Sequence, residues 1–243
     1  MVIARCLDAA MAVLFAPFCA ACAAPLEAPS GGAVCDRCWT SITPLTDPLC
    51  ETCGDGLPSW RAACEKQCIR CRRLPRVISR ARAVAAYEGR LRDILHALKY
   101  GGRRSVARPL SHLMAISGAR ILEGADFVVP VPLHLVRSYR RGFNQAADLA
   151  ADLGVPAVSA LRRVRRTATQ TNLPETERHR NVLGAFVVTR RARQRVRGSV
   201  IVVIDDVSTT GATLDACARV LLDAGALEVR ALTAARAASK LQR

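Results

Sequence analysis

Four Cys-x-x-Cys pairs crowd the first third of the chain and constrain its fold more than any other feature. They are Cys19/Cys22, Cys35/Cys38, Cys50/Cys53 and Cys68/Cys71; Cys6 and Cys64 stand outside the pattern, and Cys217 alone lies beyond residue 71. Two residues between thiols form a tight knuckle that aims both sulfurs at one ion, and a second knuckle completes a tetrahedral site. Four knuckles supply two sites, so structural Zn2+ is the expected core of a double zinc ribbon. Pro25, Gly31, Gly32, Gly54, Gly56 and Pro58 mark short loops too poor in apolar residues to fold without metal. Spacing leaves open whether the knuckles pair sequentially or crossed, and whether Cys64 competes with Cys68. A redox role for any one pair fits less well, because four evenly used pairs among Gly and Pro read as structural.

A disulfide framework is the competing use of so many thiols, and it needs an oxidising compartment and an export signal. Arg5, the apolar run 9–16 and Cys19 have the outline of a lipoprotein leader. However, Asp8 abuts the run, and Phe18 stands where a small residue would precede a lipidated cysteine. The run is also too short to span a bilayer. The expectation is a short amphipathic helix and a cytoplasmic protein, with peripheral contact at the inner face of the membrane as the variant and no stable insertion.

Charge divides the chain at the same place. Of 36 Lys+Arg and 20 Asp+Glu, residues 1–75 hold seven of each, so the whole net charge of +16 belongs to residues 76–243. A chain with 51% hydrophobic and 23% charged residues can bury a core, which excludes a disordered polymer and a membrane bundle. Two domains are expected, 1–75 and 76–243, the second facing an anionic partner.

Beyond residue 76 the pattern alternates. Strands are expected at 80–87, 127–131, 199–204 and 227–233, and helices around 91–98, 105–116, 144–153 and 213–224. Apolar strands alternating with helices imply an α/β fold: a parallel twisted sheet covered on both faces, with ligands at the carboxyl ends of its strands.

The most informative segment is VIVVIDDVSTTGAT, residues 200–213. A buried strand ends at Asp205 and Asp206 and passes through small hydroxyl residues and Gly211 into a helix. Free amides at such a helix start hold a phosphate dianion. Thr209, Thr210 and Thr213 add hydroxyls, and the two acids can accept bonds from sugar hydroxyls. The set suits a ribose 5-phosphate.

DDVSTTGAT (205–213) resembles the 5-phosphoribosyl-1-pyrophosphate (PRPP) loop of type I phosphoribosyltransferases. The resemblance implies that Asp205 and Asp206 hold the ribose hydroxyls, the catalytic positions, while Ser208, Thr209, Thr210, Gly211, Ala212 and Thr213 hold the 5-phosphate. YEGRLRD (87–93), LKYGG (98–102), VPVPLH (129–134), RRGFNQ (140–145) and RTATQT (166–171), with Arg178 and Asn181, are similar to the ComF family of competence-associated proteins. That likeness runs from about Phe15 to Arg236 and includes the cysteine knuckles. It places a pyrophosphate loop at Val129 to His134, with Val131 and Pro132 as its binding residues.

Pro130 and Pro132 remove amide donors there, so pyrophosphate would need side chains, with Arg137, Arg140 and Arg141 nearest in sequence; a solvated basic helix face is their plain alternative. Lys99, one of three lysines, offers a compact ammonium. Residues 162–181 resemble in position the loop that closes over PRPP, or else form a basic surface loop for nucleic-acid phosphates. His134 and His179 read as surface donors, Cys6 and Cys217 as buried thiols.

Two functions follow from the resemblance. One is a PRPP-binding accessory of DNA uptake that contacts single-stranded DNA and helicase or channel proteins of the uptake machinery. With aromatic residues at 4%, its DNA contacts would be electrostatic. The other is an active phosphoribosyltransferase that uses Mg2+ with PRPP and displaces pyrophosphate toward a nitrogen or amine acceptor.

Overall fold

The computed structural model describes residues 17–58, 66–133, 142–165 and 182–237. Its centre is a four-stranded, all-parallel sheet in the order β1 (Ala81–Ala86), β6 (Glu228–Arg236), β5 (Val200–Ser208), β2 (Phe127–Pro130). Alternation along the strands divides the core. Phe127, Val129, Ile201 and Val203 face α8 (Ala212–Asp223). Val128, Val202, Ile204 and Leu232 face α3 (Gly89–Tyr100), α4 (Ala107–Ser117) and α6 (Gln145–Ala150). A sheet with a helical layer on each face leaves the strands almost wholly apolar, as the sequence is.

Two differences from the sequence reading have physical causes. β5 does not stop at Ile204 but continues through the acid pair to Ser208, because β6 runs beside it to Arg236 and pairs Asp205 with Thr233 and Ser208 with Arg236. The expected loop 162–181 also begins later. Leu161–Arg163 (β3) pairs antiparallel with Phe186–Val188 (β4), with Leu161 and Phe186 buried against the α8 side. Residues 166–181 lie outside the described residues, as do 134–141, which contain His134, Arg137, Arg140 and Arg141. The apolar run 9–16, Cys6 and Cys64 are outside them too. No described helix is long and apolar enough to cross a membrane.

The cysteine region covers the open edge of β1. Leu45 donates to the Val84 carbonyl at 2.8 Å, and the Ala81 amide donates to the Thr52 carbonyl at 2.7 Å. On the other edge, residues 156–158 bond to Val128 at 2.9 Å on each side. Exposed edges invite pairing with other chains, and both are capped here. Gly54 lies against β1 with φ of 72°, and a Cβ there would come within 2.8 Å of the Ala81 carbonyl. Only glycine accommodates both conditions.

The two ribbons are anchored differently. In the first, Cys19, Leu26, Val34 and Cys38 belong to the same apolar cluster as α3 and β1, and Arg90 of α3 donates to the Ala21 carbonyl at 3.1 Å. In the second, the four cysteines form their own cluster with Leu57 as its sole apolar neighbour among the described residues. Its attachments to the sheet are polar: Arg82 donates to the carbonyls of Cys50 at 3.2 Å and Glu51 at 3.1 Å.

Candidate sugar-phosphate site and metal centres

The thiols gather sequentially: Cys19, Cys22, Cys35 and Cys38 in one set, Cys50, Cys53, Cys68 and Cys71 in the other, the sulfurs of each lying within 4.8 Å of one another. All eight are free thiols, with Cys19–Cys38 at 3.9 Å, Cys22–Cys35 at 3.8 Å and Cys53–Cys68 at 3.6 Å. A tetrahedron with metal–sulfur bonds of about 2.3 Å has edges of about 3.8 Å, so the spacing is that of ligands around zinc rather than of disulfides. Short helices α1 (Asp36–Thr40) and α2 (Ile69–Arg73) start directly after Cys35 and Cys68 and carry the last sulfur of each set. Backbone amides point at the sulfurs: Cys35 to Cys19 at 3.4 Å and Cys68 to Cys50 at 3.3 Å. Such donors stabilise thiolate, the form that binds metal. Hydrogen bonds from Cys53, Cys68 and Cys71 hold Cys50 well below the ordinary thiol range.

The loop after β5 is shaped by charges beneath it. Gly211, the residue before α8, is left-handed with φ of 78°, and a Cβ on it would collide with the guanidinium of Arg76. Arg76, whose side chain is 3% exposed, donates through Nη1 to the Thr210 carbonyl at 2.6 Å and pairs through Nε with Asp215 at 2.8 Å. Asp215 in turn accepts from the amides of Val77 at 3.2 Å and Ile78 at 3.4 Å. Residues 76–78 are thereby strapped to the first turn of α8. On the other side, Arg236 donates from Nη1 to Ser208 Oγ at 3.3 Å, and from Nε to Asp55. Thr210 Oγ1 accepts from the Ala212 amide at 3.3 Å. Amides at the start of a helix lack a preceding turn to bond to, so this loop offers donors to a ligand.

At the mouth of the loop stands the acid pair. Lys99, at the end of α3, reaches Asp206 at 2.9 Å, and its ammonium lies 5.9 Å from the Tyr87 ring. Burial disfavours its charge, but Asp206 and Asp205 outweigh burial and raise its pKa above the ordinary lysine value. Burial, and next the Asp206 carboxylate, push Asp205 up to about 7 against the opposing Asp206 amide, Lys99 and Arg163. Val131 and Pro132 leave β2 beside this pair; Val131 spends its amide on the Ile204 carbonyl at 2.9 Å, and Asn144 Nδ2 donates to the Val131 carbonyl at 3.1 Å. Cys217 is fully buried, and its thiol is raised by burial.

Asp205, Asp206, Lys99, Ser208–Thr213 and Val131–Pro132 thus converge at the carboxyl ends of β5 and β2. Arg140 and Arg141 lie outside the described residues. Sequence reasoning missed Arg76, Asp215 and Arg236, none of which sits in a motif, and read Arg163 only as part of the basic stretch 162–181. It also missed a cleft of about 530 Å³ at the far end of α8, lined by Arg190, Arg193, Arg197, Val188, Val220 and Asp223 among others. The run RRARQRVR (190–197) was its sequence signal.

Comparison with known proteins bears on this arrangement. The family described as "Phosphoribosyl transferase domain" matches residues 131–243, and that described as "Double zinc ribbon domain" matches residues 10–72. The "DNA utilization protein YhgH" of Escherichia coli is 35% identical over 222 residues, covering 87% of this chain and 93% of that protein. The "Competence protein ComFC" of Bacillus subtilis is 30% identical over 196 residues, 79% of each chain. The chain belongs to the ComF family. The "Competence protein F" of Haemophilus influenzae, 27% identical over 229 residues, extends across 90% of the chain. The ComF architecture here is a type I phosphoribosyltransferase domain preceded by a double zinc ribbon with two four-cysteine clusters.

Two outcomes are expected. Metal analysis of protein purified without chelator gives two zinc ions per chain, and Cys50→Ser lowers this to one; two ions in that variant would contradict the second site. Asp205→Asn raises the thermal midpoint of ligand-free protein. A carboxyl whose folded pKa is raised favours folding only while protonated, so native Asp205 costs stability as pH climbs from about 4 to 7. The gain from Asn is therefore largest near pH 8 and vanishes near pH 4; a uniform or absent gain in melting curves contradicts the shift.

Proposed function

We propose that the chain binds PRPP with magnesium at the β5–α8 loop and contacts single-stranded DNA through its arginine surface, as an accessory of DNA uptake. The observation that carries this reading is a loop of Ser, Thr and Gly that leads into a helix start, held from below by Arg76 and Arg236, close behind two carboxylates. The 5-phosphate would rest on the amides and hydroxyls of Ser208–Thr213, and the ribose hydroxyls would face Asp205 and Asp206. Pyrophosphate would extend toward Val131 and Pro132, with Arg140 and Arg141 as its cations. Magnesium usually takes one or two carboxylates and completes its shell with water and phosphate oxygens, so the acid pair fits as the protein's share. Bound there, it supplies charge neutralisation of the pyrophosphate. Asp205 must ionise to serve it, so affinity should rise with pH through about 7.

DNA contact is supported by the cleft at Arg190, Arg193 and Arg197, where Asp223 is the lone acidic lining residue. The names of the relatives, a DNA utilization protein and competence proteins, point the same way, and uptake helicase or channel proteins are partners within this reading. A second reading, phosphoribosyl transfer to a nitrogen or amine acceptor, is favoured by the intact acid pair, which DNA binding alone does not require.

PRPP with magnesium should raise the thermal midpoint, and Asp205→Asn with Asp206→Asn should weaken PRPP binding at least about tenfold, the scale of one lost charged contact. Binding of an oligo-dT strand, followed by fluorescence anisotropy, should survive those changes, weaken in Arg190→Ala/Arg193→Ala/Arg197→Ala protein and decline steeply with salt. Absence of any PRPP-dependent shift overturns the proposal; pyrophosphate release dependent on an acceptor replaces it with the transferase reading.

A further inference from the structure

The second ribbon and the phosphate loop meet at one buried ionic cluster. Asp55 lies two residues after Cys53, and its carbonyl accepts the amide of Cys50 at 2.7 Å. One carboxylate oxygen accepts from Arg70 Nη2 at 3.0 Å, and Arg70 stands between Cys68 and Cys71 on α2. The other accepts from Arg236 Nε. Arg236 closes β6 opposite Ser208 in the ladder and donates to its hydroxyl. The side chains of Arg236 and Asp55 are 5% and 6% exposed, so neither charge has water to fall back on. Arg236 Nη2 is buried without a hydrogen-bond partner among the described residues, and the sulfurs of Cys53 and Cys68 are close enough for their charge to act on the guanidinium.

Resting on the sugar-phosphate reading above, we propose that Asp55 and Arg236 are positioning residues of the phosphate loop, and that they make ligand affinity at Ser208–Thr213 depend on metal in the Cys50–Cys53–Cys68–Cys71 cluster. The second ribbon has almost no apolar core, so the metal is what fixes its knuckle. When the knuckle loosens, Asp55 leaves Arg236 as a buried cation without its counter-charge, a costly state that drives the guanidinium and its Ser208 contact to rearrange. The first ribbon packs into the main apolar core and has no such bond to the loop among the described residues. Linkage is reciprocal: if metal strengthens ligand binding, ligand must strengthen metal retention.

The test titrates PRPP with magnesium into zinc-replete wild type and Asp55→Asn by calorimetry, and follows zinc release to a colorimetric chelator with and without PRPP. In Asp55→Asn that still holds two zinc ions, affinity should fall about tenfold, within the range usual for coupled sites. In wild type, PRPP should slow release of one of the two ions by a similar factor, and in Asp55→Asn it should not. A merely structural contribution of Asp55 would not move that second readout. Equal affinity in the two proteins, or release from wild type that ignores PRPP, overturns the coupling alone. Failure of wild type to bind PRPP removes the sugar-phosphate reading and the coupling with it. If Asp55→Asn does not fold, the release experiment on wild type still decides.

Discussion

Two guanidiniums buried beneath the turn at the end of β5 set its shape, and the rest of the site is arranged around them. A buried arginine is unfavourable unless paired and fully bonded. Arg76 pairs with Asp215 and donates to the Thr210 carbonyl, and Arg236 pairs with Asp55 and donates to Ser208, although Arg236 Nη2 keeps no hydrogen-bond partner among the described residues. Each pair draws a distant segment against the loop: the strap 76–78 on one side and the second ribbon on the other. The turn is therefore held in place within the fold itself, and on the proposed reading an anion bound there would not spend binding energy on ordering it. Gly211 is the residue that permits Arg76 to approach, since any side chain there would occupy the guanidinium's place.

The acid pair above the turn shows the opposite economy. Asp205 and Asp206 follow one another in the strand, Lys99 reaches Asp206, and burial together with the Asp206 carboxylate pushes Asp205 up to about 7. Like charges brought together at the carboxyl end of a buried strand are a strain on the ligand-free fold that a cation and a sugar would relieve. Tightness below and strain above are the combination expected where a site is built for a ligand rather than for stability.

The sheet, its helices and the β5–α8 turn were legible in the sequence because each depends on contiguous residues: apolar runs, helical spacing, and a hydroxyl-and-glycine stretch behind two acids. The thiol sets were legible as pairs, but their sequential assembly was not, since every knuckle has the same spacing. What stayed hidden depends on long-range pairing. Arg76 is 134 residues from Thr210, and Arg236 is 181 residues from Asp55; on the page these are ordinary charges in an arginine-rich chain. β3 and β4, three residues each, were lost in a basic stretch because so short a strand shows no alternation worth reading. The acid pair was read as the end of a strand when it lies inside one, for the ladder is set by β6 and not by local hydropathy.

The most direct test of the sugar-phosphate site is a crystal structure of the zinc-loaded protein soaked with ribose 5-phosphate. The account predicts a phosphate on the amides of Thr209–Thr213 with Arg76 and Arg236 still beneath an unmoved turn, and ribose hydroxyls within hydrogen-bond reach of Asp205 and Asp206. An empty loop, or a phosphate found only among Arg190, Arg193 and Arg197, would contradict it.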